Sequence, residues 1–230
     1  MVLAEIKILG AGPVKRGVTQ IAAQFEKETG HRVNVEFTGA PTVRERVLAG
    51  EAVDVAVVPH AAMDEFVAQG KVAAGTRVTL GRSRMGLALR KGAAVPDLTT
   101  VAAFKQAVAA ADAVVVNVAS SGSYVVKLLE KQGFSADKAV KQPDTVKVMD
   151  HVASSTQYLL GAGQLPEIRE LIDKGIGIAL AGPLPDELQS ITAYDAAVTM
   201  ASANATAAAE FAAYLAQPAA HAAMAATGID

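Results

Sequence analysis

The residues best suited to chemistry are the hydroxyl run Ser120-Ser121-Gly122-Ser123-Tyr124, placed directly after the apolar stretch Ala113–Val118. A buried strand that ends in serines and a glycine, then opens a helix through Val125, Leu128 and Leu129, gathers hydroxyls and backbone N–H groups at one point. Helix starts carry about half a positive charge and donors without partners, so they receive anions. Four other loops are built the same way. Gly12-Pro13-Val14 follows Ile6–Leu9, Gly39-Ala40-Pro41-Thr42 follows Val33–Phe37, Pro59 follows Val53–Val58, and Gly182-Pro183 follows Ile176–Leu180. Small side chains let a ligand reach the main chain. Singly, each loop also reads as an ordinary turn with helix capping; together they read as the wall of a small-anion site. Arg82 and Arg84 lie two apart on an extended segment, share a face there, and offer a clamp for a carboxylate. Gln164, closing Gly161-Ala162-Gly163, is a further candidate contact.

The same inventory excludes much catalysis. There is no cysteine, so thiol chemistry, disulfides and cysteine zinc sites are absent. His31, His60, His151 and His221 lie far apart and form no metal-ligand spacing. Gly10-Ala11-Gly12 meets Lys15 where a dinucleotide fingerprint needs its third glycine. No metal, no cofactor and no catalytic residue is expected; Asp54 and His60 are the only acid–base candidates near these loops. Asn204-Ala205-Thr206 fits a glycosylation signal but reads as a helix cap.

These loops need elements to hold them. Short apolar strands alternate with helices of 3.6-residue periodicity, which implies a mostly parallel α/β sheet. The rhythm breaks twice, at extended crossings near residues 78–90 and 191–200. Two crossings make two α/β lobes: residues 1–82 with 196–230, and residues 83–195. Lobes joined this way hinge over a ligand cleft walled by the loops at the strand carboxyl ends. Residues 140–163 carry no clear pattern. With 230 residues, 51% hydrophobic and 19% charged, the chain has ample material for such cores. A net charge of −2 and 4% aromatics argue against nucleic acid as a partner. No apolar span of membrane-crossing length occurs, so no membrane insertion is expected.

The chain resembles the type II periplasmic solute-binding proteins of ABC importers, nearest the molybdate-binding branch. The resemblance rests on Ile6-Lys7-Ile8-Leu9-Gly10-Ala11-Gly12, Gln24-Phe25-Glu26-Lys27-Glu28-Thr29-Gly30, Ala49-Gly50-Glu51-Ala52-Val53-Asp54-Val55, and Asn204-Ala205-Thr206 before Phe211-Ala212-Ala213-Tyr214-Leu215. It covers nearly the whole chain. It implies two lobes closing on a small anionic ligand, ABC permease subunits as partners, a monomer, and a periplasmic location after removal of a leader; a cytoplasmic sensor or a small enzyme on the same fold are the alternatives. Molybdate binders hold their oxyanion with serines, a tyrosine and backbone N–H groups. Here Gly12-Pro13, Gly39-Ala40-Pro41 and Ala181-Gly182-Pro183 stand where those hydroxyls belong. The expected ligand is therefore a small organic carboxylate, with a molybdate or tungstate oxyanion as the alternative.

Overall fold

The computed structural model describes residues 3–230. The chain divides into two compact units, one running to Ser83 and resuming at Thr192–Asp230, the other Arg84–Ile191.

In the first unit the most apolar run becomes a central strand. β3 (Val55–Pro59) is buried along Val55–Val58, because helices cover both faces of its sheet. It pairs in parallel with β1 (Glu5–Ala11), which pairs with β2 (Arg32–Thr38). On β2 exposed and half-buried residues alternate, as on an edge strand. The sheet order is β2-β1-β3-β10-β4, where β4 is Val78–Ser83 and β10, Thr192–Val198, runs antiparallel to both neighbours. One face packs on α1 (Lys15–Thr29), α8 (Ala205–Leu215) and α9 (Pro218–Ala226), around Ile6, Ile8, Phe25 and Phe211. The other packs on α2 (Ala40–Leu48) and α3 (His60–Ala68), around Leu9, Val58 and Phe66. Each such large side chain contributes roughly 1.5–3 kcal/mol through burial.

The second unit repeats the plan. Its order is β7-β6-β8-β5-β9: β7 Ala139–Gln142, β6 Ala113–Asn117, β8 Leu159–Gln164, β5 Met85–Arg90 and β9 Ile178–Pro183. β6, β7 and β8 are parallel, and β5 runs antiparallel between β8 and β9. α4 (Val101–Ala110) and α5 (Ser120–Lys131) cover one face; α6 (Thr145–Ser154) and α7 (Leu165–Asp173) cover the other.

The alternating α/β pattern and the division into two α/β units were legible in the residues, and three details differ. The first crossing is two strands, one in each sheet, with Arg84 between them. Arg82 and Arg84 therefore do not share a strand face: Arg82 belongs to β4 and the first unit, Arg84 to the second. Residues 192–195 belong to the first unit, because β10 pairs along its length with β3 and β4.

Candidate functional site

Strand direction decides which loops can meet a ligand. In the first sheet the carboxyl ends of β1, β2, β3 and β4 lie at one edge, with the amino end of β10 beside them. The chain leaves β1 toward α1 on one face and leaves β3 toward α3 on the other. Adjacent strands whose exits diverge leave a crevice, the usual ligand position in open α/β sheets. Gly12-Pro13-Val14 forms a 3-10 turn at the β1 exit, and Pro59 precedes α3 at the β3 exit. Gly39 precedes α2, whose first turn holds Ala40, Pro41 and Thr42. Val14 is fully buried, whereas Gly12 and Pro13 are half-buried.

The second sheet has the same crevice, between the exits of β6 and β8. Here Asn117 ends β6 and Gln164 ends β8; both are buried. Ser120, Ser121, Gly122, Ser123 and Tyr124 form the start of α5. Gly182 and Pro183 do not open a helix: they continue β9, paired with Leu87 and Gly86 of β5.

The serines do not cap their helix. The residue before α5 is Ala119, and no side chain of that residue caps it; the same holds for Gly39 before α2, Pro59 before α3 and Gln164 before α7. By contrast, Thr100 caps α4 at Ala103 N–H (3.1 Å) and Asp144 caps α6 at Lys147 N–H (2.8 Å). The α5 start is held instead by Asn117. Its Oδ1 accepts from Ala119 N–H (3.0 Å), Gly122 N–H (3.1 Å) and the Ser121 hydroxyl (3.3 Å). Its Nδ2 donates to Ser121 Oγ and to Thr145 Oγ1, both at 3.1 Å. A Cβ on Gly122 would lie 1.8 Å from the Asn117 carbonyl oxygen, so only glycine lets α5 start this close to β6. Ser120 and Ser123 remain exposed. The Tyr124 hydroxyl is engaged internally: it donates to Leu188 O (3.0 Å), and burial pushes the phenol above its usual range.

The network extends to a residue that sequence reasoning missed. The Thr145 hydroxyl donates to Glu167 Oε2 (3.2 Å). Glu167 stands in the first turn of α7, and its carboxyl is pushed up to about 7. Burial is the main cause, the like charges of Glu170 and Asp144 add to it, and the Thr145 hydrogen bond opposes it.

The first unit holds a different cluster beside its crevice. Asp195 on β10 is fully buried. It accepts from Arg77 Nε (2.9 Å) and Nη2 (2.6 Å) and from Thr79 Oγ1 (2.9 Å). His60, the first residue of α3, places Nδ1 2.8 Å from the same carboxylate and 3.0 Å from Arg77 Nη2. Arg77 also reaches Asp64 (2.7 Å). The other acid–base candidate, Asp54, sits at the opposite edge, before β3. Burial pushes its carboxyl up, but bonds from Ser202, Lys7 N–H and Asn204 outweigh this and hold it low. It is a structural tie. Asn204 precedes α8 as expected, yet its side chain does not cap; it donates to Glu5 O (3.0 Å). Arg84 pairs with exposed Asp186 (2.9 Å), and Arg82 is exposed, its main chain paired with Asp230. Among the described residues no cluster of metal ligands forms, and no helix is long and apolar enough to cross a membrane.

Two α/β sheets of one strand order, each with helix starts at its crevice, define the type II periplasmic binding protein fold. The chain belongs to the bacterial extracellular solute-binding protein family, whose model matches residues 6–230. Among curated proteins it is similar to an aconitate isomerase from Pseudomonas sp, 30% identical over 221 residues, covering 92% of this chain and 82% of that protein. Among solved structures it superposes on the Azotobacter vinelandii periplasmic molybdate-binding protein with a TM-score of 0.79 at 20% identity, covering 98% of each chain. It also superposes on the PBP AgtB from A.tumefacien R10 in complex with agropinic acid, with a TM-score of 0.70 at 15% identity, covering 99% of this chain and 82% of that one. The solutes of these two proteins, a metal oxyanion and an organic acid, differ widely, so the fold leaves the ligand open.

Proposed function

We propose that this chain captures a small organic polycarboxylate outside the cytoplasmic membrane and presents it to the permease of an ABC importer. The observation that carries the ligand class is the aconitate isomerase, the relative at 30% identity, whose name specifies a tricarboxylate. The loops support it. The α5 start offers the exposed hydroxyls of Ser120 and Ser123, and Gly12-Pro13 and Gly39-Ala40-Pro41-Thr42 offer main chain with few hydroxyls. Such a set suits carboxylates, which take N–H and O–H donors at two oxygens each. Arg82 and Arg84 are exposed or half-exposed cations at the ends of the two rims and add long-range attraction. The test is a thermal-shift and calorimetric series with cis-aconitate, trans-aconitate, citrate, tricarballylate, molybdate and tungstate. A ligand of the folded state adds about 2.7 kcal/mol at a hundredfold excess over Kd. Binding of molybdate or tungstate alone sinks the carboxylate reading.

The same relative favours a second reading, in which the chain isomerises its unsaturated solute. Moving a proton along a carbon chain needs an acid–base group at the site, and Glu167 and His60 are candidates beside the crevices. Incubation with cis-aconitate, followed by proton NMR, separates the readings: conversion to the trans isomer supports the enzyme, and binding with no conversion supports the receptor.

A further inference from the structure

Glu167 is a carboxyl where an anion receptor should avoid one. It lies where the starts of α5, α6 and α7 are joined by one hydrogen-bond chain, running from Glu167 to Thr145, from Thr145 to Asn117, and from Asn117 to Ser121 and the N–H groups of Ala119 and Gly122. Among the described residues it makes no ion pair. Its hydrogen-bond partner is a hydroxyl, and the charged groups that raise its proton affinity, Asp144 on the α6 start and Glu170 on α7, carry its own sign. Lys147, the cation of that α6 turn, is turned to Asp150 at 3.6 Å. Asn117 and Gln164 at the strand ends carry no charge.

We propose that Glu167 is the proton-linked group of the anion site, holding a proton when the solute is bound and opposing binding when ionised. This rests on the reading of the α5 start as an anion contact. In the protonated state Glu167 adds no charge beside the solute and its O–H is a donor. In the ionised state it sets a negative charge at the junction of the three helix starts that attract the anion. Reciprocity then requires the anion to raise the proton affinity of Glu167, so capture takes up a proton. The ordinary carboxyl lies at 4.5; here burial pushes it up to about 7, which brings the switch into the neutral range.

The test is calorimetry of tricarballylate and of molybdate between pH 6 and 8.5, in buffers of different ionisation enthalpy, with the wild-type chain, Glu167→Gln and His60→Gln. Glutamine copies the neutral acid. For the wild type, affinity should fall as pH rises, by up to about tenfold per pH unit for one linked proton. Net proton uptake on binding should accompany it. Glu167→Gln should bind at pH 8 about as tightly as the wild type at pH 6 and take up no proton. A residue with a purely structural role would lower affinity at every pH instead. His60 is the acid–base side chain beside the other crevice, so His60→Gln is the second arm. If that variant loses the slope while Glu167→Gln keeps it, the assignment to Glu167 is overturned. Equal slopes in Glu167→Gln and wild type overturn it too, and leave the carboxylate reading standing. Binding of molybdate without tricarballylate overturns the carboxylate reading while Glu167 is still judged on the molybdate data. No binding of either anion overturns both.

Discussion

The two units share a strand order and differ in the chemistry at their crevices. The first presents glycine, proline and alanine at its loops and gathers its charge beside them, in Asp195, Arg77, His60 and Asp64. The second ties its helix starts together with the amide and hydroxyls of Asn117, Ser121 and Thr145, and places one acid among them. One topology thus fixes where a ligand site can lie and leaves its electrostatics to a few side chains. The first crevice is stiffened by ion pairs, the second by largely neutral hydrogen bonds.

That contrast can be broken most forcefully at Asp195. Asp195→Ala strips a buried partner from Arg77 and should cost about 3–5 kcal/mol in urea unfolding. A loss below about 1 kcal/mol would mean that the ion cluster is not what holds the first rim. Gly122→Ala pushes a methyl group against the Asn117 carbonyl and should cost about 1–3 kcal/mol by overpacking. It should also weaken anion binding at least tenfold, measured by calorimetry. Asn117→Ala leaves the N–H groups of Ala119 and Gly122 without their acceptor, at a cost of about 1–3 kcal/mol. Its effect should be nearly independent of salt, because no charge is removed.

Glu167 sharpens the contrast through pH. Its carboxyl is raised in the folded chain, so below about 4.5 it is protonated in both states and costs nothing. Between 4.5 and about 7 the unfolded chain ionises first, and stability falls as pH rises. Glu167→Gln should therefore gain on the order of 2 kcal/mol over wild type at pH 8 and nothing at pH 4, in parallel denaturant titrations. The smallest effect belongs to Arg84. Its pair with Asp186 is solvent-exposed, and Arg84→Ala should change stability by less than about 0.5 kcal/mol. A tenfold loss of carboxylate affinity in that variant would make Arg84 a ligand clamp rather than a surface cation.

Much of the fold was legible because its signals are local. Val55–Val58 reads as a buried strand from its apolar run, and Gly30, at φ 79°, ends α1 where the periodicity stops. Residues 140–163 were opaque for a reason that only packing supplies. β8 carries Gly161 and Gly163, which on paper suggest a loop. In the sheet they make room for α6: a Cβ on Gly161 would come within 2.9 Å of Val152. β7 is a four-residue edge strand of mixed burial, too short for its alternation to show. The candidate site was legible as a set of strand-end loops and illegible as a network. An acid in the first turn of a helix is ordinary in sequence, and nothing local distinguishes Glu167 until Thr145 and Asn117 are brought beside it. The arginines misled because alternation presumes one continuous strand, and the chain changes sheets at Arg84.

The position of β10 has a consequence for how the chain is made. It inserts between β3 and β4, yet it is the last strand to be synthesised. As the chain leaves the ribosome, the second unit has all its strands and helices once Ile191 has emerged. At that moment the first unit holds three paired strands, with β4 separated from them by the missing β10. Its early residues must wait, with Val55–Val58 uncovered on one side, until Thr192–Val198 arrives. The amino-terminal half of the polypeptide is thus the last to become a finished sheet, and the nascent chain depends on its own late segment for protection from aggregation.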